Sequence, residues 1–287
     1  MEEKPQYFIE KREEKNAAKI FWCILCVFVA VFAVVFGINY AFNQKYSYIS
    51  ISGKSMQPTL NNNPAIVETI ENGLTVQNFV QDGVYVEKTN EIDYNDIIIV
   101  ENVFYGKSII KRALAFGGDY VTIAKVENAG VYEFRLMRVK NGSDEVEVLE
   151  EEYIKSHWDW ALQYSPSGNK PQDEIYSPNI IYEDEFYQTF KRRYDSALFA
   201  VEALDGAQVR FFQIPENEVF YMGDNRTNST DARAKGSTSI DNVSGKVVEI
   251  VTDGVYYDGN IFHAFNRFGG YLRVIWREIL RFFGTNG

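Results

Sequence analysis

Histidine and cysteine are scarce in this chain of 287 residues, which contains two of each. His157 and His263 lie outside any recognisable motif, which disfavours a catalytic triad in which a histidine activates a serine. Cys23 and Cys26 lie within a long apolar run, where a metal or redox site lacks the polar, accessible setting it needs. The sequence therefore indicates no disulfide framework and no metal site.

The chain also lacks an excess of basic residues. It has 29 Lys and Arg against 40 Asp and Glu, a net charge of -11. Because nucleic-acid binding depends on a basic face, we expect no nucleic-acid partner. With 46% hydrophobic and 15% aromatic residues, the chain is long enough to bury at least one substantial core.

Charged residues are absent from positions 20 to 44. A bilayer-spanning helix needs about 20 apolar residues, whereas the apolar region of a cleavable signal peptide is shorter. We therefore predict a retained transmembrane anchor over 20–43. Lys and Arg are concentrated before this anchor, which predicts a cytoplasmic segment at 1–19 and an extracytoplasmic remainder. The basic residues before the anchor are Lys11, Arg12, Lys15 and Lys19, and those soon after it are Lys45 and Lys54.

After the anchor, alternating or continuous apolar runs between turn signals predict a mainly β chain. The expected strands are 46–51, 84–86, 97–100, 107–116, 218–221 and 245–252. The expected turns include Asp82-Gly83, Asn141-Gly142 and Asp253-Gly254. The middle region, 125–215, carries an acidic run at 144–152, interpreted as a solvated face, and a loop rich in Pro, Ser, Gly and Asn. We interpret it as an inserted β-rich or mixed subdomain.

The C-terminal segment has a different design. Arg273, Arg277 and Arg281 recur every four residues among large apolar side chains, which predicts an amphipathic helix over 271–283. The helix is too short and too charged to span a bilayer. A basic face opposite Trp and Phe suits the membrane interface, and docking on the chain's own domain is the alternative.

One turn-rich stretch, 52–60, is suited to hold a serine out toward a ligand. Ser55 would need a base to take its proton, and a lysine can replace histidine if burial lowers its pKa from about 10.4 toward neutrality. Lys111 has the required apolar neighbourhood, with Ile109 and Ile110 before it and Ala113 soon after. The alternative is a strand lysine that points into water.

Three motifs in order make the chain resemble type I signal peptidases, the bacterial membrane-anchored Ser/Lys proteases, with a Gram-positive-like pattern. The motifs are Ser55-Met56-Gln57-Pro58-Thr59-Leu60, then Lys111-Arg112 with Gly118-Asp119, then Gly223-Asp224-Asn225-Arg226 with Asn228, Ser229, Asp231 and Arg233. The resemblance covers roughly 20–124 and 216–252.

This resemblance implies a nucleophile at Ser55, a general base at Lys111 and a lysine-orienting hydroxyl at Ser229. It further implies a structural ion pair between Asp231 and Arg233, and an oxyanion bound by the Ser55 backbone N–H. The shallow apolar pockets for small substrate side chains would be lined by Ile49, Ile51, Met56, Leu60 and Ile110. No metal or cofactor is implied, and the expected partners are signal peptides of exported precursors and the lipid bilayer.

Four positions depart from the family pattern. Gly53 stands where some members carry a serine that also serves the oxyanion, so only the backbone donor is expected. Asn95 replaces a common Gly, Gly117 a common Pro and Ala232 a common Ser. The Ala232 change removes a hydroxyl near the expected position of Lys111, without removing the lysine itself.

The resulting domain hypothesis is a signal-peptidase-like catalytic β domain at 44–124 and 216–260, interrupted by the non-catalytic subdomain 125–215 and followed by the C-terminal amphipathic helix, 261–287. Such a protein would cross the bacterial cell membrane once. Two alternatives stay open. One is a membrane-tethered binding or assembly protein that is weakly active or inactive on the same scaffold. The other is a relative of the self-cleaving repressor proteases, which the anchor and the acidic charge disfavour.

Overall fold

The computed structural model describes residues 6–62, 66–71, 74–79, 81–104, 106–128, 131–154, 199–204, 207–226, 228–255 and 261–284. His157 lies outside these residues, as does much of the predicted middle region. The chain divides into two compact units, Met1–Tyr46 and Ser47–Gly287.

The first unit is dominated by helix α1, Gln6–Lys45. Its segment Ala18–Lys45 has a mean hydropathy of 2.9, and none of its most apolar window is buried. This segment contains the predicted anchor and is long and apolar enough to cross a membrane. The helix begins well before residue 20 because residues 6–19 are rich in Glu, Lys and Ala, which are good helix formers.

The second unit is mainly β, as predicted. Its strands are β1 (Tyr46–Ser50), β2 (Ile66–Glu71), β3 (Leu74–Phe79), β4 (Gln81–Glu87), β5 (Ile97–Phe104), β6 (Lys107–Phe116), β7 (Tyr120–Asn128), β8 (Val131–Val139), β9 (Val146–Val148), β10 (Phe199–Leu204), β11 (Ala207–Gln213), β12 (Glu218–Met222), β13 (Thr238–Ser239) and β14 (Val243–Val255). Its helices are the short α2, Ala232–Lys235, and the C-terminal α3, Ile261–Phe282.

A seven-stranded sheet has the order β1-β4-β14-β5-β6-β12-β13. The Ser55 motif follows β1, Lys111-Arg112 lies within β6, and the motif that begins at Gly223 follows β12. Strand β6 lies inside this sheet and is buried at six consecutive positions, 110 to 115. It pairs antiparallel with β5, so that Lys111 lies opposite Ile98. This continuous burial is what removes the Lys111 side chain from water.

A five-stranded sheet, β10-β11-β7-β8-β9, is built from segments around and within the predicted middle region. The Asn141-Gly142 turn connects β8 and β9, as predicted, with the Ser143 amide donating to the Lys140 carbonyl at 2.9 Å. The acidic run at 144–152 is only partly a solvated face. Glu151 is 2% exposed, so the solvated interpretation is wrong at this residue.

Two predicted turns are wrong because their residues lie inside strands. Asp82 and Gly83 belong to β4, where a Cβ on Gly83 would lie 1.9 Å from the Tyr48 hydroxyl oxygen. Glycine is therefore needed for close approach rather than for turning. Asp253 lies within β14 at a register irregularity, and its amide donates to the Asp82 carboxylate at 2.9 Å.

Helix α3 begins ten residues earlier than the predicted position 271 and has 22 residues. One side of it packs on β14, where Val274 is 2% exposed. Docking on the chain's own domain, given above as an alternative, is therefore correct for this side of the helix.

Candidate active site

The loop that carries Ser55 is held by two asparagines. The Asn61 side chain donates to the carbonyls of Ile51 and Gly53, both at 2.9 Å. Asn225, from the third motif, donates its backbone amide to the Ser55 carbonyl at 3.0 Å and its side chain to the Lys54 carbonyl at 3.0 Å. The third motif thus fixes the backbone on which Ser55 stands.

Lys111 and Ser55, which are 56 positions apart in sequence, are in direct contact. Lys111 Nζ donates to Ser55 Oγ at 2.8 Å and to the Ile110 carbonyl at 2.7 Å. The lysine is 3% exposed, and burial lowers its pKa from 10.5 to about 8, against the raising effect of Asp231 and Asp224. A substantial neutral fraction near physiological pH can therefore accept a proton from the serine hydroxyl.

Ser229 lies where the two loops meet, at Gly223. A Cβ on Gly223 would lie 2.2 Å from Ser229 Oγ and 2.4 Å from the Ser55 carbonyl oxygen, so only glycine fits there. Ser229 Oγ is buried, makes no hydrogen bond to Lys111, and lies close enough to the Asp231 carboxylate to help lower its pKa. The predicted Ser229–Lys111 hydrogen bond is thus not formed in this structure, in which Lys111 Nζ donates to Ser55 and Ile110.

Asp224 joins the first two motifs to the third. It accepts two hydrogen bonds from Arg112, at 2.9 and 2.6 Å, and one from Thr59 Oγ1 at 2.5 Å. Arg112 also donates to the Asn95 carbonyl at 2.9 Å. Asn95 has φ +71°, a left-handed conformation that Gly and Asn adopt readily, so the Asn-for-Gly departure leaves this bend intact.

Asp231 and Arg233 form a buried ion pair, with Arg233 Nε 2.8 Å from Asp231 Oδ1. Burial alone would raise the pKa of Asp231, but Arg233 and the Gly223 amide hold it below its ordinary value. Asp231 also caps α2 through its hydrogen bond from the Arg233 amide. The pair therefore braces the loop that carries Ser229.

The remaining motif residues shape turns. Asp119 is buried and accepts hydrogen bonds from the amides of Phe116 and Asn141, both at 2.8 Å, while Gly118 has φ +87°. These two residues close the turn between β6 and β7. In the third motif, the Asn228 amide donates to the Asn225 carbonyl at 3.0 Å. The Gln57–Pro58 peptide bond is cis.

Sequence reasoning missed Glu151. Its carboxylate forms a buried bidentate ion pair with Arg226, whose Nε donates to the Gly223 carbonyl at 3.0 Å. Tyr153 donates its hydroxyl to Glu151 at 2.8 Å, and its ring lies 3.9 Å from the Arg112 guanidinium carbon. No sequence signal distinguishes Glu151 from its acidic neighbours, because its partner is 75 positions away.

A groove of about 540 Å³ opens beside Ser55 and Lys111. Its apolar lining includes Ile49, Ile51, Val86, Ile99 and Ile110. Met56 and Leu60, predicted as pocket residues, are 2% and 1% exposed and lie in the apolar cluster beneath the groove instead. Both belong to the turn after Ser55, which directs them into the core.

Within the described residues, no group of three or more His, Cys, Asp or Glu side chains is placed to hold a metal ion. Gly53 has φ +92° and supplies no side-chain hydroxyl. The groups that the described site offers to a substrate include the Ser55 hydroxyl, the Lys111 amine of lowered pKa and backbone donors.

Comparison with known proteins gives a consistent result. The chain is 30% identical over 148 residues to signal peptidase I of Helicobacter pylori (strain J99), a match that covers 47% of this chain and 46% of that protein. It thus spans under half the length of this relative. A crystal structure of a signal peptidase I from Enterococcus faecalis V583 aligns over 54% of this chain and 96% of that one, with 20% identity and a TM-score of 0.28. The family model "Signal peptidase, peptidase S26" matches residues 20–252, well over half of the chain, and the protein therefore belongs to that family.

Proposed function

We propose that this chain is a membrane-bound serine endopeptidase that removes N-terminal signal peptides from exported proteins, with Ser55 as nucleophile and neutral Lys111 as general base. The 2.8 Å contact between Lys111 Nζ and Ser55 Oγ, made by a buried lysine of lowered pKa in a groove with both apolar and polar lining, is the observation that supports this most directly. The family membership supports the same reaction class.

In the first half of the reaction, neutral Lys111 accepts the Ser55 hydroxyl proton as Oγ attacks the scissile carbonyl. The Ser55 backbone N–H donates to the resulting oxyanion. One such donor is worth roughly 10²–10³ in rate where it has been removed from a serine protease. The Lys111 ammonium then gives its proton to the leaving amine, and the peptide bond breaks to leave an acyl ester on Ser55.

In the second half, Lys111 takes a proton from water, and the hydroxide attacks the ester. The ammonium returns the proton to Ser55 Oγ, which regenerates the free enzyme. Ser229 is proposed to orient the lysine amine during these transfers, since its buried Oγ lies at Gly223, against which the Ser55 carbonyl also packs. The Asp231–Arg233 and Asp224–Arg112 pairs would keep both loops in place.

The substrate would bind as an extended strand along the groove. Strand β1 lies at the edge of the seven-stranded sheet, and its residues Ser47, Ile49 and Ser50 line the groove. An edge strand offers unpaired backbone groups to a peptide, while apolar pockets select its side chains. Side chains such as Ile49, Ile51 and Ile110 would favour small residues before the cut.

The anchor would hold the catalytic domain at the membrane where precursors emerge. Positively charged residues in α1 before its apolar segment support a cytoplasmic N-terminus and an extracytoplasmic catalytic domain in the bacterial cell membrane. The protein would then act on precursors as they leave the bilayer.

Processing of an exported precursor by the full chain in lipid bilayers tests this proposal. We expect Ser55→Ala and Lys111→Met each to lower the cleavage rate by at least about 10³-fold, as for other residues that act as one catalytic unit. Ser143→Ala, an exposed serine in the β8–β9 turn outside the groove, is the control and should keep the wild-type rate within a few-fold. Undiminished cleavage by Ser55→Ala would refute the mechanism, and binding without turnover by the wild type would favour a binding protein.

A further inference from the structure

Helix α3 is docked on its domain by its charged side. Arg273 Nε donates to Glu249 Oε1 at 2.5 Å, and Arg277 donates to Glu249 and to the Val248 carbonyl. Val274 is buried on the same side, and a Cβ on Gly270 would lie 2.6 Å from a Val251 methyl. The helix therefore has a fixed orientation on β14.

The opposite side of α3 presents a continuous apolar surface, which we call the outer stripe. Its residues are each between 40% and 85% exposed: Phe265, Phe268, Leu272, Trp276, Ile279, Phe282 and Phe283. Their spacing of mainly three and four residues places most of them on one helix face. At 1.5 Å per residue the outer stripe is about 27 Å long.

This arrangement is the reverse of an ordinary surface helix, which buries its apolar face and shows its charged face to water. Here the arginines are used for docking, and the aromatic side chains are left outside. A continuous apolar surface of this kind marks a contact with another apolar phase.

A bilayer fits the outer stripe better than a protein partner does. The same chain carries α1, whose segment Ala18–Lys45 can cross a membrane, so lipid would be present at high effective concentration. Residues 261–287 hold four arginines against one glutamate, a net charge of +3 in a chain of -11. Arg273 and Arg281 pair with Glu249 and Glu87, and their side chains are still 56% and 54% exposed.

We propose that the outer stripe of α3 lies in the headgroup and acyl boundary of an anionic membrane, as a second membrane contact besides α1. A row of exposed Trp, Phe and Leu side chains on a segment of net positive charge is typical of helices that lie in this layer. The helix begins after residue 252, the last residue matched by the family model. It would limit how the catalytic domain can turn relative to the membrane.

The test uses the full chain in nanodiscs that contain phosphatidylglycerol, with one copy per disc. In a Cys23→Ser, Cys26→Ser background, an environment-sensitive fluorophore is attached at Leu272→Cys, on the outer stripe. The matched control carries it at Asp144→Cys, an exposed position in the β8–β9 turn. Each is measured with ordinary lipids, with lipids brominated on their acyl chains, and with aqueous iodide. Ile279→Cys is the second outer-stripe position if the first variant does not fold.

We expect brominated lipids to quench the label at Leu272→Cys and iodide not to, with the reverse at Asp144→Cys. A label at Leu272→Cys that iodide quenches as strongly as the control would overturn the proposal. Protection from both quenchers would also overturn it, since protein would then cover the outer stripe. The readout needs no turnover and can be repeated in Ser55→Ala, so it is independent of whether the proposed peptidase activity is correct.

Discussion

The carboxylate of Glu151 and the guanidinium of Arg226 form an ion pair from which water is almost fully excluded, with side-chain exposures of 0% and 1%. Arg226 belongs to the motif that carries Ser229, whereas Glu151 lies outside all three motifs. Through the Gly223 carbonyl, Arg226 also contacts the glycine on which the Ser55 and Ser229 loops meet. The segment after β9, which contains Glu151, thus helps to hold the loop that carries Arg226 and Ser229.

Glu151→Gln should destabilise the fold by about 3 kcal/mol, because a buried arginine that loses its ionic partner keeps its desolvation cost. Denaturant unfolding of the full chain in detergent measures this. Glu152→Gln, an exposed neighbour with the same chemistry, is the control and should change stability by less than about 0.5 kcal/mol. Equal stability of the two variants would show that the Glu151–Arg226 pair does not hold the loop.

Lys111→Met should stabilise the protein at neutral pH, at the expense of activity. Since burial lowers the Lys111 pKa to about 8, the unfolded chain binds more protons than the folded one between pH 8 and 10.5, and stability rises with pH in that window. Below pH 8 the cost of burying the ammonium is fully present. Removing it should add up to about 3 kcal/mol at pH 7.

The gain from Lys111→Met should shrink at pH 10, where the folded wild-type lysine is neutral. Urea unfolding at pH 7 and pH 10 provides the comparison. Lys107→Met changes an exposed lysine on the same strand and should give no pH-dependent gain. A Lys111→Met variant that is less stable than wild type at pH 7 would mean that burial of the Lys111 ammonium does not destabilise the fold.

Gly223→Ala should lower kcat/KM at least about 10²-fold, because displacement of reacting groups by about 1 Å has an effect of this size. The added methyl would lie 2.4 Å from the Ser55 carbonyl oxygen and 2.2 Å from Ser229 Oγ, so one of the loops must move. Cleavage of a soluble peptide substrate measures the loss. Gly269→Ala, whose methyl would lie 3.5 Å from Arg273 Nη1, should keep full activity. Full activity in Gly223→Ala would contradict the tight meeting of the two loops.

Ile49→Ala should relax the preference for small side chains, if the groove binds the substrate as proposed. The loss of methylene groups from the pocket wall should raise the ratio of kcat/KM for a Leu-containing peptide to that for an Ala-containing peptide about 10-fold. Ile250→Ala alters the same apolar cluster away from the groove lining and should leave the ratio unchanged. If both variants behave alike, the groove is not the specificity pocket.

The local pattern of apolar and turn-forming residues was sufficient to predict much of the secondary structure. Strand β6 has the predicted bounds, 107–116, because apolar continuity and flanking turn residues mark its ends. The Asp82-Gly83 prediction failed because a turn dipeptide can also serve close packing, here beneath Tyr48, and nothing local distinguishes the two uses.

Contacts between residues far apart in the sequence could not be predicted from local pattern. Glu151 could not be singled out, since a buried ion pair is defined by a partner 75 residues away. The side of α3 that docks on the domain likewise depends on the contact between Arg273 and Glu249, which lies in β14. The roles of Ser55, Lys111 and Ser229 came from motif chemistry and stay predictions, although Ser55 and Lys111 are in contact as those roles require.

The pH dependence of acylation at Ser55 tests the central claim most directly. The full chain is treated with a penem, a serine-directed acylating inhibitor, and the adduct is located by peptide mass spectrometry. We expect one adduct, on Ser55, formed at a rate that rises through pH of about 8 as Lys111 loses its proton, and no adduct in Lys111→Met. An adduct on another residue, or an unchanged rate in Lys111→Met, would contradict a Ser55–Lys111 catalytic pair.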